Sequence, residues 1–96
     1  MLHQTSPGHA SLSGILNMQS CAALLVPLDR LAAHAPLQLD LSDVKEADSA
    51  ALAVLLAARR TAHQAGHTLT IHNWPDNLKT LLNLYSMSDL LLLSGE

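Results

Sequence analysis

Residues Leu37 to Arg60 read LQLDLSDVKEADSAALAVLLAARR, and the fold is decided inside that run. At its start, Leu37, Leu39 and Leu41 alternate with Gln38, Asp40 and Ser42. That alternation marks a strand buried on one face only. Past Asp48 the rhythm changes. At about 100° per residue, Ala51, Leu55, Ala58 and Ala62 share one helical face, with Leu52 and Val54 on its flanks. The opposite face carries Ala53, Ala57, Arg60 and Gln64. Asp48 or Ser49 caps the helix, a side-chain oxygen accepting a first-turn N–H. Nothing acidic or amide-bearing follows three residues later, so no capping box is expected. Gly66 suits the left-handed exit from the helix.

The same two rhythms recur on either side. His67 to Trp74 (HTLTIHNW) alternates again, with Leu69 and Ile71 inward. Ser11 to Leu16 (SLSGIL) is a candidate strand, and Met18 to His34 a helix with leucines at 24, 25, 28 and 31. Pro27 falls inside that helix and predicts a late start or a kink. Pro75-Asp76 opens a further helix with Leu78, Leu81, Leu82 and Tyr85 inward, and Asp89 to Leu93 (DLLLL) forms a short final element. Residues 1–10 read as a loose lead-in and 11–94 as one domain. Strands in a sheet covered on both sides would be continuously apolar. The alternating strands therefore predict helices on one sheet face and water on the other. The succession of strands and helices points to a small α/β domain with a mainly parallel sheet.

The totals exclude several functions. Ninety-six residues hold one core. Net charge is -3 and the five Lys and Arg residues are dispersed, so no basic stripe faces a phosphate backbone. Only Trp74 and Tyr85 are available to stack on bases, so nucleic acid is not an expected partner. Cys21 is the single cysteine, which removes an internal disulfide and fits a reducing compartment. MLHQTSPGHA has neither the basic nor the apolar region of an export signal. The uncharged run from Ala50 to Ala58 is less than half the ~20 residues of a membrane span. A cytoplasmic protein without direct membrane insertion is expected. Yet 49% of the residues are hydrophobic, high for so small a domain, which predicts that some apolar surface meets a partner.

No catalytic constellation emerges. His63 and His67 stand at the helical spacing of two metal ligands, but Gly66 ends the helix between them and no third ligand is near. Asp40, Asp43 and Asp48 lie around one strand end, as a solvated loop also would. Cys21 sits among apolar neighbours without a fixed base, the setting of an inert buried thiol. The glycines at 8, 14, 66 and 95 build no phosphate-cradling loop. No catalytic residue, metal or cofactor is expected. Asp48-Ser49 remains. A phosphate on Ser49 would sit at the positive end of the helix dipole. It would also set nearly two negative charges beside an alanine-lined surface, opposing a partner packed there.

The run from Leu37 to Leu52, LQLDLSDVKEADSAAL, resembles the hallmark of the STAS family. In that family a strand ending in an Asp-Leu-Ser type sequence leads through a short loop to Asp-Ser/Thr-x-Gly-Leu at a helix start. The likeness continues through Gly66, the strand from Leu69, the Asn73-Trp74-Pro75 turn, and Leu81 to Leu92. The compact length and the early strand leading into a leucine-rich helix resemble the MlaB-like subunit of Mla phospholipid-transport ABC complexes. The resemblance implies a non-catalytic cytoplasmic subunit, peripheral to the inner membrane. It would bind and support an MlaF-like ATPase, and through it the permease, in maintaining outer-membrane lipid asymmetry. Ser49 and the start of its helix would belong to the ATPase-facing surface. Other STAS proteins are anti-sigma factor antagonists phosphorylated at the equivalent Ser, so a phospho-switch at Ser49 is the alternative.

One position departs from the family pattern. Its Gly is Ala51 here, a methyl that is expected to hinder close approach and so to favour docking over phosphorylation. The partner-binding set is then Asp48, Ser49, Ala50, Ala53, Ala57 and Arg60. The small side chains of that set admit a partner helix closely, and Arg60 with Gln64 forms a polar rim.

Overall fold

A computed structural model of the protein describes residues 1–84; Tyr85 and the Asp89–Leu93 element lie outside the described residues. The elements are β1 (Leu2–Ser6), β2 (His9–Leu16), α1 (Met18–His34), β3 (Leu37–Ala47), α2 (Ser49–Gln64), β4 (Leu69–His72) and α3 (Asp76–Leu84). The four strands form one sheet in the order β1-β2-β3-β4. β1 pairs antiparallel with β2, while β2–β3 and β3–β4 are parallel.

The alternation in the sequence translates directly into two unlike sheet faces. Leu37, Leu39, Leu41, Leu69 and Ile71 are buried, as are Ala10, Leu12 and Leu16 of β2. They pack in one cluster with Leu24 and Leu28 of α1, Leu52 and Leu55 of α2, and Leu78 and Leu82 of α3. Between them on the strands, His9, Gln38, Asp40, Thr70 and His72 are exposed or half-buried. Helices cover one face of the sheet, and the other is polar. Each predicted inward position of α2 is buried, namely Ala51, Leu52, Val54, Leu55, Ala58 and Ala62.

Three readings of the sequence need correction. Residues 1–10 are not a loose lead-in: Leu2–Ser6 is an edge strand, turned back onto β2 through Pro7-Gly8. Gly8 takes φ +79, and a Cβ there would meet the Pro36 carbonyl at 3.3 Å. Its own carbonyl accepts the Gln38 N–H at 2.8 Å, tying the hairpin to β3. The second correction concerns the start of α1, which is not delayed to Pro27. Asn17 caps it at Met18 and the helix runs through to His34. Pro27 removes one N–H, and the residue left without that donor, Ala23, is exposed to water. Third, β3 continues past Ser42 to Ala47. Its pairing with β2 slips between Ser11 and Ser13 and again between Gly14 and Ile15, which hides the strand from any simple alternation.

The end of α2 follows the prediction closely. His67 N–H donates to the Ala62 carbonyl at 2.8 Å and Gly66 N–H to the His63 carbonyl at 3.1 Å, with Gly66 at φ +79. This pair of bonds is the Schellman arrangement, and it satisfies carbonyls that a helix end otherwise leaves open.

Candidate functional site

β2 and β3 run in parallel and each leads straight into a helix, so α1 and α2 start at the same edge of the sheet. A backbone bond fastens the two starts together, the Asp48 N–H donating to the Leu16 carbonyl at 3.1 Å. Asp48 Oδ1 accepts the Ala50 N–H at 2.8 Å, so Asp48 is the cap and Ser49 the first helical residue. From the far side, Asn77 Nδ2 of α3 donates to the Ala47 carbonyl at 2.7 Å. The Ala47-Asp48-Ser49 turn is thus held from three elements. A shallow depression of about 410 Å³ opens beside it, with Lys45, Glu46, Asn17 and Asn77 among its lining residues.

The six candidate partner-binding residues lie on this start and along the outward side of α2. Asp48, Ser49, Ala53 and Arg60 are exposed, while Ala50 and Ala57 are half-buried toward the flank. Ala51 does not join them. It is 1% exposed, its methyl packed in the core. The expectation that Ala51 hinders an approaching partner is therefore corrected, since the side chain at that step of the helix points inward. Asn77 was not identified from sequence as part of this site. Its spacing from Pro75 marks only a helical first turn, and the bond to Ala47 depends on how α3 docks.

The other sequence candidates disperse. Asp40 lies mid-strand on the polar sheet face, paired across with Ser11 and His72. Asn73 Nδ2 donates to Asp40 Oδ1 at 2.9 Å, and Ser42 adds its N–H and hydroxyl at 2.9 Å and 3.0 Å. These donors, Asn73 first, hold the Asp40 carboxyl below its ordinary range. Asn73 adopts φ 60, a left-handed conformation that Asn tolerates, to place its amide there. Asp48 sits at the sheet edge instead. Among the described residues, no group of three or more His, Cys, Asp or Glu is placed to hold a metal ion. His63 is on α2 and His67 beyond its cap, which separates that pair as well.

Cys21 is buried in the core, and burial, followed by the nearby Asp48 charge, pushes its thiol up. A thiol raised in this way is a poor nucleophile at neutral pH. Among the described residues no helix is long and apolar enough to cross a membrane.

A family profile described as "Mlab, STAS domain" matches residues 3–93. Among solved structures, the chain is similar to the anti-sigma factor antagonist SpoIIAA in its unphosphorylated form, with a TM-score of 0.68 at 10% identity. That alignment covers 86% of this chain and 80% of the other. At such identity the likeness is one of fold. No curated protein gives a sequence match.

Proposed function

The chain belongs to the STAS domain family, and on that premise we propose that it is a non-catalytic subunit binding and supporting the ATPase of an ABC transporter for phospholipid trafficking. In this reading it acts in the cytoplasm, held at the inner membrane through the transporter, and serves outer-membrane lipid asymmetry. The observation that carries the proposal is the outward side of α2. Asp48, Ser49 and Ala53 are exposed in a row that ends at Arg60, with Ala50 and Ala57 on the flank. Ala53, on the exposed face, adds nothing to the core, but so small a side chain lets the backbone of a partner helix approach closely. The profile's description, with its MlaB type, supports a transporter partner over other STAS partners. Function then consists of binding: no cofactor, metal or chemical step is required.

The Ala53→Arg chain tests this. Arg at an exposed helical position leaves the fold intact, so circular dichroism and the melting midpoint should match those of the original chain. Recovery of the ATPase with the tagged chain should fall to background. Unchanged recovery would remove α2 from the interface.

A second reading, a phospho-switched anti-sigma factor antagonist, is favoured by one specific observation. Asp48 supplies the cap, which leaves the Ser49 hydroxyl exposed at the first helical position and not needed there. With Ala51 turned inward, nothing at that position opposes a kinase. Intact-mass measurement on chain isolated from its own cells decides between the two, phosphate on Ser49 supporting the switch.

A further inference from the structure

Of the two helices that start at this site, α1 and not α2 carries large exposed apolar side chains, and Ile15 at the end of β2 is 51% exposed beside them. Met18 is 78% exposed, Val26 57% and Leu25 40%. With exposed Ala22, they follow the spacing i, i+4, i+7, i+8 of a single helical stripe. This stripe is separate from the buried one of Cys21, Leu24, Leu28 and Ala32. It lies on the side of α1 that faces α2. One turn beyond Leu25 and Val26, the Asp29 carboxylate of α1 accepts a hydrogen bond from Thr61 of α2. Thr61 in turn is one turn beyond Ala57. The apolar stripe of α1 and the alanines of α2 therefore border each other along the seam between two parallel helices.

Charge is distributed along the seam by end. Asp48 is exposed at the start of the pair, where the neighbouring exposed Lys45 and Glu46 offset each other. Arg30 of α1 and Arg60 of α2 are exposed toward the far end and outnumber the half-buried Asp29 there. From Met18 to Arg30 the helix rises about 18 Å, three turns and a little more. Natural helices carry acidic residues in the first turn and basic ones in the last, complementing their own dipole. A helix laid along this seam antiparallel to α1 and α2 brings its acidic start to Arg30 and Arg60. Its basic end then meets Asp48. In the parallel direction like charges meet at both ends.

We infer that the docking surface spans the α1–α2 seam and takes one amphipathic helix of the partner. That helix runs antiparallel to α1 and α2, seats apolar side chains over Met18, Leu25 and Val26, and pairs an acidic first turn with Arg30 and Arg60. This inference rests on the docking function proposed above and names the partner segment for it. It predicts that α1, which lies outside the Ser49 motif, contributes as much to binding as α2.

The test compares three full-length chains in recovery of the transporter ATPase: the original, Ala53→Arg, and Leu25→Asp combined with Val26→Asp. The α1 variant should lose at least about tenfold in recovery, as expected when two apolar contacts are replaced by charges. Because exposed positions are changed, its melting midpoint should stay close to that of the original. If Ala53→Arg abolishes recovery and the α1 variant does not weaken it, the seam inference fails and docking on α2 stands. If neither change matters, the docking reading itself fails. A photo-crosslinking residue at position 26 supplies an assay independent of the double variant's folding. Capture of an ATPase helix with an acidic first turn supports the inference. Capture of a second copy of the chain, of lipid, or of nothing overturns it.

Discussion

The two helix starts at the sheet edge are built from similar residues and end up differently used. At α1, Asn17 Oδ1 accepts the Ser20 N–H at 3.0 Å, and the Asn17 N–H donates to Ser20 Oγ at 2.9 Å. Ser20 Oγ also donates to the Ile15 carbonyl at 2.7 Å. Cap, first turn and incoming strand are closed upon one another. At α2 the residue in the place of Ser20 is Ala51, which has nothing to return. The Asp48 N–H, which a capping box would take, goes instead to the Leu16 carbonyl of the neighbouring strand. One start is self-sufficient, and the other is fastened to its neighbour. The hydroxyl of α1 is fully employed, whereas that of α2 stands exposed at Ser49. An identical residue type is thus structural in one helix and available for recognition in the other.

The comparison holds only if both helices belong to one core, and the largest expected effects test that condition. Leu28 of α1 and Leu55 of α2 are both 0% exposed. Leu28→Ala and Leu55→Ala should each cost about 2–5 kcal/mol, a large part of the about 5–15 kcal/mol that holds a domain folded. Urea unfolding should give both variants lower midpoints with unchanged slopes. A Leu28→Ala chain as stable as the original would mean that α1 is peripheral, and the likeness of the two starts would lose its meaning.

The hydroxyls then separate the two starts directly. Ser20→Ala removes the acceptor of the Asn17 N–H and the donor to Ile15, and should cost about 1–2 kcal/mol. Ser49→Ala changes an exposed side chain outside the cap and should stay within about 0.5 kcal/mol of the original. Thermal melts of the two variants under one set of conditions measure the difference. Equal losses would show that Ser49 has a structural task after all, weakening the case for recognition there.

How far the sequence shows this arrangement depends on which physical signal each part leaves. The faces of α2 and the one-sided burial of β3 and β4 follow from periodicity, because burial alone sets which positions are apolar. Gly66 is legible because few other residues take its conformation easily. β1 is harder to see. Of Leu2-His3-Gln4-Thr5-Ser6 only Leu2 is partly buried, so an edge strand leaves almost no apolar pattern, and Pro7-Gly8 is its one signal. The extension of β3 through Asp43-Val44-Lys45-Glu46 is obscured by the two register slips against β2. For the site, residue type limits the cap to Asp48 or Ser49 without choosing between them. The helix phase that puts Ala51 on the inward face conflicts with the family-based expectation that its methyl meets a partner. The buried Ala51 resolves that conflict in favour of the phase. The apolar stripe of α1 was hidden by its neighbours: in a run holding Leu24, Leu25, Val26 and Leu28, sequence does not say which side faces the core.

The smallest effect concerns the far end of the same two helices. There the link is Thr61 to Asp29, and Asp29 Oδ1 is buried without a hydrogen-bond partner among the described residues. Burial raises the Asp29 carboxyl above its ordinary value of 3.8, against the opposing pull of the Thr61 bond. A raised carboxylate pKa means that the fold favours the protonated form. That contribution to stability is complete below the ordinary value and is lost as pH rises through the folded one. At neutral pH the cost of burying charge is therefore fully present. Asp29→Asn removes the charge and keeps an oxygen for Thr61, so it should stabilise the protein by less than about 1 kcal/mol. The gain should be present at pH 7 and shrink toward zero as the pH approaches 3–4. Melting midpoints across that range provide the measurement. A gain independent of pH would assign the effect to packing, and a loss at pH 7 would show that the ionised carboxylate is what joins α1 to α2.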